Sequence, residues 1–208
     1  SCERYSHLIH SYPAKLLHHI PYFFLQTDFF CPRDGVVLDP FCGTGTVLLE
    51  ANLSGRSAKG ADANPLAVLI SEVKTTYIEK DRLLNTKDRI LSSAKRIDIS
   101  DDLETTSISY WFSKTTIIQL SRLECAINKI KNEQQKKFFL ACFSSLVRKV
   151  SFADPNISVP VRLNPERFVN HKERMDSTSF KIKTLENVDV YDKFENICEL
   201  NINRINTL

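Results

Sequence analysis

The chain has 208 residues, of which 42% are hydrophobic and 25% charged, and its net charge is +3. This length fits about one domain with a sizeable core, and so mild a charge is weak evidence for a nucleic-acid partner. No apolar run approaches the ~18 residues of a membrane span, and no secretory signal pattern opens the sequence. Six scattered cysteines without a C-x-x-C pair argue against a disulfide framework or a zinc site. We therefore expect a cytoplasmic protein that uses neither a membrane nor a metal.

The first residues carry no strong structural signal. Residues 1–11 are predicted to be a loose lead-in, and two prolines predict helical turns over 14–20 and 22–30. His18 and His19 are adjacent, and neighbouring helical residues point about 100° apart, so they are a poor metal-binding pair.

The stretch Val36–Thr46 predicts a strand, a glycine-bearing loop and the start of a helix. Its first residues form a short apolar run, which is typical of a buried parallel strand. Gly43 and Gly45 lack a Cβ, so the backbone can turn sharply and a ligand can come close. A helix over 47–53 follows, with Gly55 as its stop signal.

A second predicted strand, residues 58–62, ends in the carboxylate of Asp62. Asn64 and the proline after it form an N-cap and first position for a helix over 66–74. Asp62 lies 23 residues after Asp39, the spacing at which an acid reaches the ribose hydroxyls of a nucleoside cofactor. A βαβ unit without a ligand is the alternative.

These motifs resemble those of DNA methyltransferases that modify exocyclic amino groups of adenine or cytosine. Residues 39–46, Asp-Pro-Phe-Cys-Gly-Thr-Gly-Thr, resemble motif I of that family, and residues 60–65 resemble the acidic motif after it. His10–Lys15 resembles the segment that precedes motif I and lies against the methionine end of S-adenosylmethionine. Residues 138–162 resemble, less specifically, the connecting region of some enzymes of this family.

The resemblance implies S-adenosylmethionine as the cofactor and a set of residues that bind it. Asp39 would face the methionine ammonium group and Asp62 would hold the ribose hydroxyls, while Lys15 and its neighbours would close the carboxylate end. The implied set is Tyr12, Pro13, Lys15, Asp39, Pro40, Phe41, Gly43, Gly45, Thr46, Asp62 and Ala63. None is assigned a catalytic role, because methyl transfer from a sulfonium needs alignment more than acid–base groups.

The middle of the chain is predicted to be helical. Residues 75–99 are polar and predict a solvated helical face, and 100–109 predict a loop. Ser113 is the predicted N-cap of a helix that ends at Asn132, and a second helix runs over 133–150. We interpret this part as a helical insertion.

The last part of the chain contains a basic cluster. Residues 151–165 hold three prolines and predict an extended, irregular segment, 176–179 predict a flexible turn, and a helix begins at Val190. We define the basic strip as the cationic residues around the extended segment and treat it as a candidate DNA phosphate-binding surface, with a solvated surface as the alternative. Its members are Arg148, Lys149, Arg162, Arg167, Lys172 and Arg174.

Two features of the family pattern are missing. The sequence contains no Pro-Pro, so it lacks the Pro-Pro-aromatic motif that, in the family it resembles, binds the target amino group and stacks on the flipped base. Only two strands can be placed, and a two-stranded parallel sheet cannot bury both faces by itself. The predicted fold class is therefore α/β, a partial Rossmann-like methyltransferase sheet with a helical insertion, completed by another chain or a missing C-terminal half.

The sequence predicts three parts: a cofactor-binding part over 1–75, the helical insertion over 76–150, and the basic segment with a terminal helix over 151–208. The predicted function is the cofactor-binding part or subunit of a site-specific DNA methyltransferase. Its predicted partners are DNA and a complementary methyltransferase chain. Two alternatives stay open: an RNA guanine-amino methyltransferase, which can share such a loop, and a non-catalytic subunit that binds cofactor or DNA.

Overall fold

A computed structural model describes residues 5–12, 15–99, 106–157 and 159–206. Within these ranges the chain forms a two-stranded parallel sheet, β1 (Val36–Asp39) and β2 (Ser57–Gly60), with α-helices and two 3-10 helices, Tyr5–Leu8 and Pro165–Phe168. The α-helices are α1 (His19–Leu25), α2 (Thr46–Leu53), α3 (Pro65–Thr75), α4 (Lys80–Ala94), α5 (Thr106–Ser109), α6 (Lys114–Asn128), α7 (Glu133–Lys149), α8 (Lys172–Glu186) and α9 (Val190–Ile205). This is the mixed α/β class that the sequence predicts. None of these helices has the length and apolarity needed to cross a membrane.

The residues divide into two compact units. Unit 1 takes in Ser1–Thr86, Lys131–Cys142 and Cys198–Leu208, and unit 2 takes in Lys87–Ile130 and Phe143–Ile197. Unit 1 contains the sheet, α1, α2 and α3, and unit 2 contains α5, α6 and α8; α4, α7 and α9 have residues in both units. The division into three sequence parts stays a prediction.

The predicted strand–loop–helix–strand unit is confirmed. β1 and β2 pair in parallel, with Val36 opposite Ser57 and Asp39 opposite Gly60. α2 packs closely on β2, because a Cβ at Gly60 would lie 2.7 Å from Leu48 Cδ1 and 2.8 Å from Cys42 Cβ. Glycine therefore allows the helix to approach the strand.

α3 begins where the Asn-Pro pair predicts it. The side chain of Asn64 accepts a hydrogen bond from the Leu66 amide at 3.0 Å, and Pro65 fills the first helical position. The helix packs against α2 and against the 3-10 helix Tyr5–Leu8. Its buried residues, Ala67, Ile70 and Val73 among them, face this core.

β1 is less covered than the prediction of a buried strand requires. Its alternate residues Val36 and Leu38 are 59% and 70% exposed. In the parallel register they lie on the same face as Ser57 and Lys59, which are also exposed. Within the described ranges, β1 and β2 pair only with each other, so the outer edge of each strand and the sheet face that carries Val36 and Leu38 stay open to solvent.

The prediction of a loose N-terminal lead-in is wrong for the described residues 5–11. They include the 3-10 helix Tyr5–Leu8, and Ser6, His7, Ile9 and His10 are buried. The helix predicted over 14–20 also differs, since 15–17 are not helical and α1 begins at His19. Pro21 falls in the first turn of α1, where its missing N–H costs no helical hydrogen bond.

Two expectations for polar segments are wrong, and a third is confirmed in part. Residues 176–179 lie inside α8, where the Thr178 and Ser179 hydroxyls donate to carbonyls four residues earlier at 2.8 and 2.9 Å. The predicted solvated helical face of 75–99 is present in α4, where charged residues such as Arg82 and Asp88 are exposed, but Lys87 is buried and pairs with Glu195 at 2.8 Å. The part of the 100–109 loop that the structure describes is the short helix α5.

The other predicted helices of the second half are confirmed, except that α6 ends at Asn128 and not at the predicted Asn132. Ser113 caps α6 by accepting from the Thr116 amide at 3.3 Å. α7 begins at Glu133 as expected, and its buried residues recur at helical spacing. α9 begins at Val190 and ends at Ile205; the last residues of the chain, 207–208, lie outside the described ranges.

Candidate cofactor site

The site is built where β1 ends and α2 begins. Gly45 is the N-cap of α2 and adopts the left-handed region with φ +74°, while Gly43 has φ +49°. Both conformations favour glycine, so the sequence folds the loop this way because these two positions lack a Cβ. The turn is closed by a hydrogen bond from the Gly45 amide to the Cys42 carbonyl at 2.8 Å.

The strand pairing continues beyond the sheet and joins the loop to the segment after β2. The Ala61 amide donates to the Asp39 carbonyl at 3.0 Å, and the Cys42 amide donates to the Ala61 carbonyl at 2.9 Å. The carboxyl ends of the two parallel strands therefore meet at one edge. This is the position at which open α/β sheets bind their ligands.

Asp62 organises the glycine loop. One of its carboxylate oxygens accepts from the Gly43 amide at 2.9 Å and the other from the Asn64 amide at 2.8 Å. The residue is half-buried. Each carboxylate oxygen has two lone pairs, so the carboxylate is fixed in orientation and keeps capacity to accept a further hydroxyl.

Tyr12 is joined to this edge by Asn64. The side-chain amide of Asn64 donates to the Tyr12 hydroxyl at 2.8 Å, while its oxygen caps α3. One asparagine thus connects the segment before motif I to the acidic motif. No sequence signal pairs these residues, because they lie 52 positions apart.

A cavity of about 400 Å³ opens beside the glycine loop. Pockets of roughly 300–1,000 Å³ are the usual size for small-molecule and cofactor sites. The structure brings six of the predicted cofactor residues to its wall: Tyr12, Lys15, Asp39, Phe41, Gly43 and Thr46. Sequence reasoning missed other lining residues, which are Leu16, Leu38, Cys42, Thr44 and Val47.

The remaining predicted residues have other positions. Gly45 and Asp62 shape the loop without lining the cavity, and Pro40 and Ala63 are exposed beside it. Pro13 lies outside the described residues. The predicted binding roles of all these residues stay predictions.

The polar groups of the cavity wall are already partly engaged. Asp39 accepts from the Phe41 amide at 3.1 Å, and the Lys15 ammonium donates to the His7 carbonyl at 3.0 Å. Burial raises the pKa of the Cys42 thiol, a hydrogen bond with Ser71 lowers it, and the charges of Asp39 and Asp62 raise it. Because the net shift is upward, Cys42 stays a neutral thiol at neutral pH and is a poor nucleophile.

The predicted DNA-contacting residues lie in unit 2. The Arg162 guanidinium stacks over the ring of Tyr110 at 4.6 Å and near that of Phe152 at 5.3 Å. An Arg148 guanidinium nitrogen donates to the Ile157 carbonyl at 2.6 Å. Lys149 and Arg167 are exposed. Part of the basic strip therefore holds its own fold together, and its contact with DNA stays a prediction.

A larger cavity, of about 730 Å³, lies in unit 2 beside the C-terminal half of α4 and Lys129. Its lining is formed by surface side chains such as Asp88, Arg89 and Ser92. It contains neither a strand end nor a glycine loop, so size alone does not make it the better candidate for a nucleoside site. Among the described residues, no group of three His, Cys, Asp or Glu side chains is placed to hold a metal ion.

Residues 12–98 match the family model described as UPF0020, RMKL-like, methyltransferase domain. The matched range contains the sheet, the glycine loop and the candidate cavity. The described architecture is consistent with a methyltransferase fold. No solved structure matches the chain.

Two curated proteins are similar to the chain. The type II methyltransferase M.MvaI of Kocuria varians is 30% identical over 205 residues, which is 92% of this chain and 45% of that protein. The type II methyltransferase M.MjaII of Methanocaldococcus jannaschii is 29% identical over 101 residues, which is 48% of this chain and 19% of that protein. The chain therefore spans less than half the length of either relative.

Proposed function

We propose that this chain is the cofactor-binding part of a site-specific DNA methyltransferase that transfers a methyl group from S-adenosylmethionine to an exocyclic amino group of adenine or cytosine. The observation that carries the proposal is the cavity at the carboxyl ends of β1 and β2, next to a glycine loop that Asp62 holds. The match of residues 12–98 to a methyltransferase domain supports it.

The residues at this edge fit S-adenosylmethionine, which supplies a methyl group activated on a sulfonium. The fixed carboxylate of Asp62 can accept from ribose hydroxyls, since each of its oxygens keeps a free lone pair. Asp39 offers a carboxylate at the cavity wall for an ammonium group, and Lys15 offers a cation for a carboxylate. Gly43 lets the backbone approach the ligand, because nothing lies within 4 Å of the place where its Cβ would be.

This chain contributes cofactor positioning and not the base pocket. The amino group of a ring base is a poor nucleophile, so it needs acceptors for its hydrogens and an aromatic residue that stacks on the flipped base. The Pro-Pro-aromatic motif that supplies these groups is absent from the sequence. We therefore assign no catalytic residue here and propose that a complementary polypeptide carries that motif.

The open face of β1 supports a complementary part. Leu38 and Val36 expose an apolar strand face, and the outer edge of β1 has no paired strand in the described ranges. Unpaired strand edges and exposed apolar patches favour association. Further strands added at this edge would extend the sheet, and the helices that connect them would cover the face.

Binding of S-adenosylhomocysteine, the demethylated product, tests the proposal by calorimetry. We expect the wild-type protein to bind it and Asp62→Ala to lose about 1–3 kcal/mol of binding free energy, the scale for hydrogen bonds to a charged group. Asp34→Ala is the matched control, because Asp34 is an exposed acid of the same unit outside the cavity. No binding by the wild-type protein in its complete enzyme would refute the cofactor role, and equal affinity of Asp62→Ala would remove Asp62 from the site.

Two alternative functions are consistent with the same glycine loop. An RNA guanine-amino methyltransferase can share such a glycine loop, and a non-catalytic subunit is consistent with the missing Pro-Pro motif. Methyl-transfer assays of the completed enzyme on DNA and on RNA separate the first alternative from our proposal. Cofactor or DNA binding without any transfer identifies the second. The type II names of the two relatives favour DNA and a restriction–modification setting.

A further inference from the structure

A fully buried lysine lies beneath the glycine loop. Lys74, on α3, is 0% exposed, and its ammonium nitrogen lies 3.1 Å from the Thr44 hydroxyl oxygen. Thr44 is itself buried, sits between Gly43 and Gly45, and lines the cavity. An ammonium donates hydrogen bonds and cannot accept them, so Lys74 donates and Thr44 accepts. The lysine thus contacts the loop but does not line the cavity.

An acid and a histidine are also buried in the neighbourhood of Lys74. His7 Nε2 lies 2.7 Å from a Glu50 carboxylate oxygen, and both side chains are 4% exposed. Burial lowers the pKa of His7, the hydrogen bond to Glu50 opposes that shift, and the nearby charge of Lys74 adds to it. With His7 neutral, Lys74 and Glu50 contribute one charge of each sign. This balance reduces the cost of burying the lysine.

α3 touches the loop at a second point. Ser71 lies one helical turn before Lys74, on the same helix face. A Cβ at Gly45 would lie 2.4 Å from Ser71 Oγ, so the loop is in close contact with α3 there. Ser71 therefore limits how near the loop can come, and Lys74 holds it by a hydrogen bond.

We propose that Lys74 is a positioning residue for the cofactor loop, acting through the Thr44 hydroxyl to hold the backbone between Gly43 and Gly45 in its ligand-binding conformation. This inference rests on the proposed cofactor site and adds a residue that does not touch the cavity. The observation that carries this inference is the hydrogen bond from the buried ammonium of Lys74 to the Thr44 hydroxyl, which joins α3 to the loop.

The test is a double-mutant cycle on S-adenosylhomocysteine affinity, measured by calorimetry on the assembled protein. Lys74→Met keeps the length of the side chain and removes its charge, and Thr44→Val keeps the shape and removes the hydroxyl. We expect each to weaken binding about tenfold, because a charge-assisted hydrogen bond is lost. The loss in the double variant should be clearly smaller than the sum of the two single losses, since both substitutions remove the same Lys74–Thr44 contact.

Thr44→Ser supplies the rescue. It keeps the hydroxyl and removes the methyl group, so most of the affinity should return, whereas a packing role would favour Thr44→Val over Thr44→Ser. Melting temperatures of every variant separate a loss of fold from a loss of binding. If Lys74→Met does not fold, comparison of Thr44→Val with Thr44→Ser still tests whether the hydroxyl supports cofactor binding.

Three results overturn the proposal. Thr44→Val could bind as tightly as the wild type, the losses in Lys74→Met and Thr44→Val could add fully, or Thr44→Ser could be as weak as Thr44→Val. Each of these leaves the proposed cofactor site standing, because the wild type still binds. Failure of the wild type to bind S-adenosylhomocysteine refutes the cofactor site itself, and the positioning role falls with it.

Discussion

At the scale of single residues, the glycine loop depends on backbone conformations that other residues adopt at a cost. Gly45 and Gly55 share a φ of +74°, but they differ in surroundings. A Cβ at Gly45 would meet Ser71 Oγ at 2.4 Å, whereas nothing lies within 4 Å of a Cβ at Gly55. The two glycines therefore separate backbone strain from steric conflict.

We predict that Gly45→Ala destabilises the protein more than Gly55→Ala. The left-handed conformation alone costs about 1–2 kcal/mol for an alanine, and the contact with Ser71 adds to this cost at Gly45. Urea unfolding of both variants measures the difference. Equal destabilisation would show that α3 moves away from the loop without cost, and it would weaken the case for α3 as the support of the site.

A second residue-scale prediction concerns His7. Burial lowers the pKa of His7 in the folded state below its usual 6.5. At pH values between this lowered pKa and 6.5, the folded state therefore binds fewer protons than the unfolded state. Stability is therefore fully present above pH 6.5 and falls as the pH drops through the lowered folded-state pKa. His7→Asn should remove this part of the slope, at most about 1.4 kcal/mol per pH unit.

Unfolding free energies of the wild type and His7→Asn, measured from pH 7.5 downward in steps of about half a unit, test this. Groups that do not contact His7 contribute to both proteins alike, so the difference between the two curves isolates the His7–Glu50 pair. Parallel curves would mean that the pKa of His7 is the same in the folded and the unfolded state, so that the hydrogen bond to Glu50 cancels the effect of burial. A difference of the opposite sign would mean that Glu50 outweighs burial.

The sequence predicted the site residues that carry local signals and missed those that do not. Gly43, Gly45 and Asp62 stand in a motif that can be found within one βαβ unit. His7, Glu50 and Lys74 come from three elements, and the His7–Glu50 pair spans 43 positions. A buried lysine looks like a surface lysine in a sequence, because only the fold brings Thr44 to it.

At the scale of secondary-structure elements, capped helices were predictable, whereas the polar helix α8 was not. α3 and α6 begin at Asn64 and Ser113, whose side chains accept from amides of the first turn. α8 has no buried residues, so it lacks the apolar periodicity that marks a helix. Its Ser and Thr residues resemble a turn in sequence, and their hydroxyls donate to helix carbonyls instead.

The members of the basic strip differ in their structural environment. Arg162 stacks on Tyr110 and Arg148 binds the Ile157 carbonyl, so both support the extended segment. Lys149, at the end of α7, and Arg167, in the 3-10 helix Pro165–Phe168, are exposed. Charges that are free of a structural role are the better candidates for phosphate contact.

We predict that Lys149→Gln with Arg167→Gln weakens DNA binding by the completed enzyme and reduces its salt dependence. Removing two phosphate contacts should lower the slope of log K against log salt by about 1.8. Lys80→Gln with Lys131→Gln is the matched control, since both lysines are exposed and lie outside the strip. The two substitutions remove the same total charge as the first pair. A wild-type slope in the first pair would return the strip to a solvated surface.

At the scale of the whole molecule, the sheet is the part that the described residues leave incomplete. β1 was predicted to be buried because its apolar run is typical of a central strand. The structure leaves Val36 and Leu38 exposed. Their sequence is therefore suited to a larger sheet than the two strands described, as expected when the relatives are more than twice as long as the part they share with this chain.

This mismatch leads to a test of the complementary part. Val36 is 59% exposed and does not line the cofactor cavity, so Val36→Glu should change the stability of this chain by no more than about 0.5 kcal/mol, as at ordinary surface positions. In the completed sheet the same glutamate would lie on a covered face, where an unpaired charge is costly. We therefore predict that Val36→Glu leaves the fold intact and abolishes assembly with the polypeptide that carries the missing strands.

Methyl transfer to DNA, with and without that polypeptide, measures assembly through function. Wild-type chain alone should be inactive and should gain both activity and melting temperature when the complementary part is added, because binding to the folded state stabilises it. Val36→Glu should melt like the wild type alone and gain neither. Val169→Glu in unit 2 is the control, because Val169 is 73% exposed and lies outside the sheet. Robust methylation by the wild-type chain alone, or normal complementation by Val36→Glu, would show that the open face of β1 is a true surface of the working enzyme.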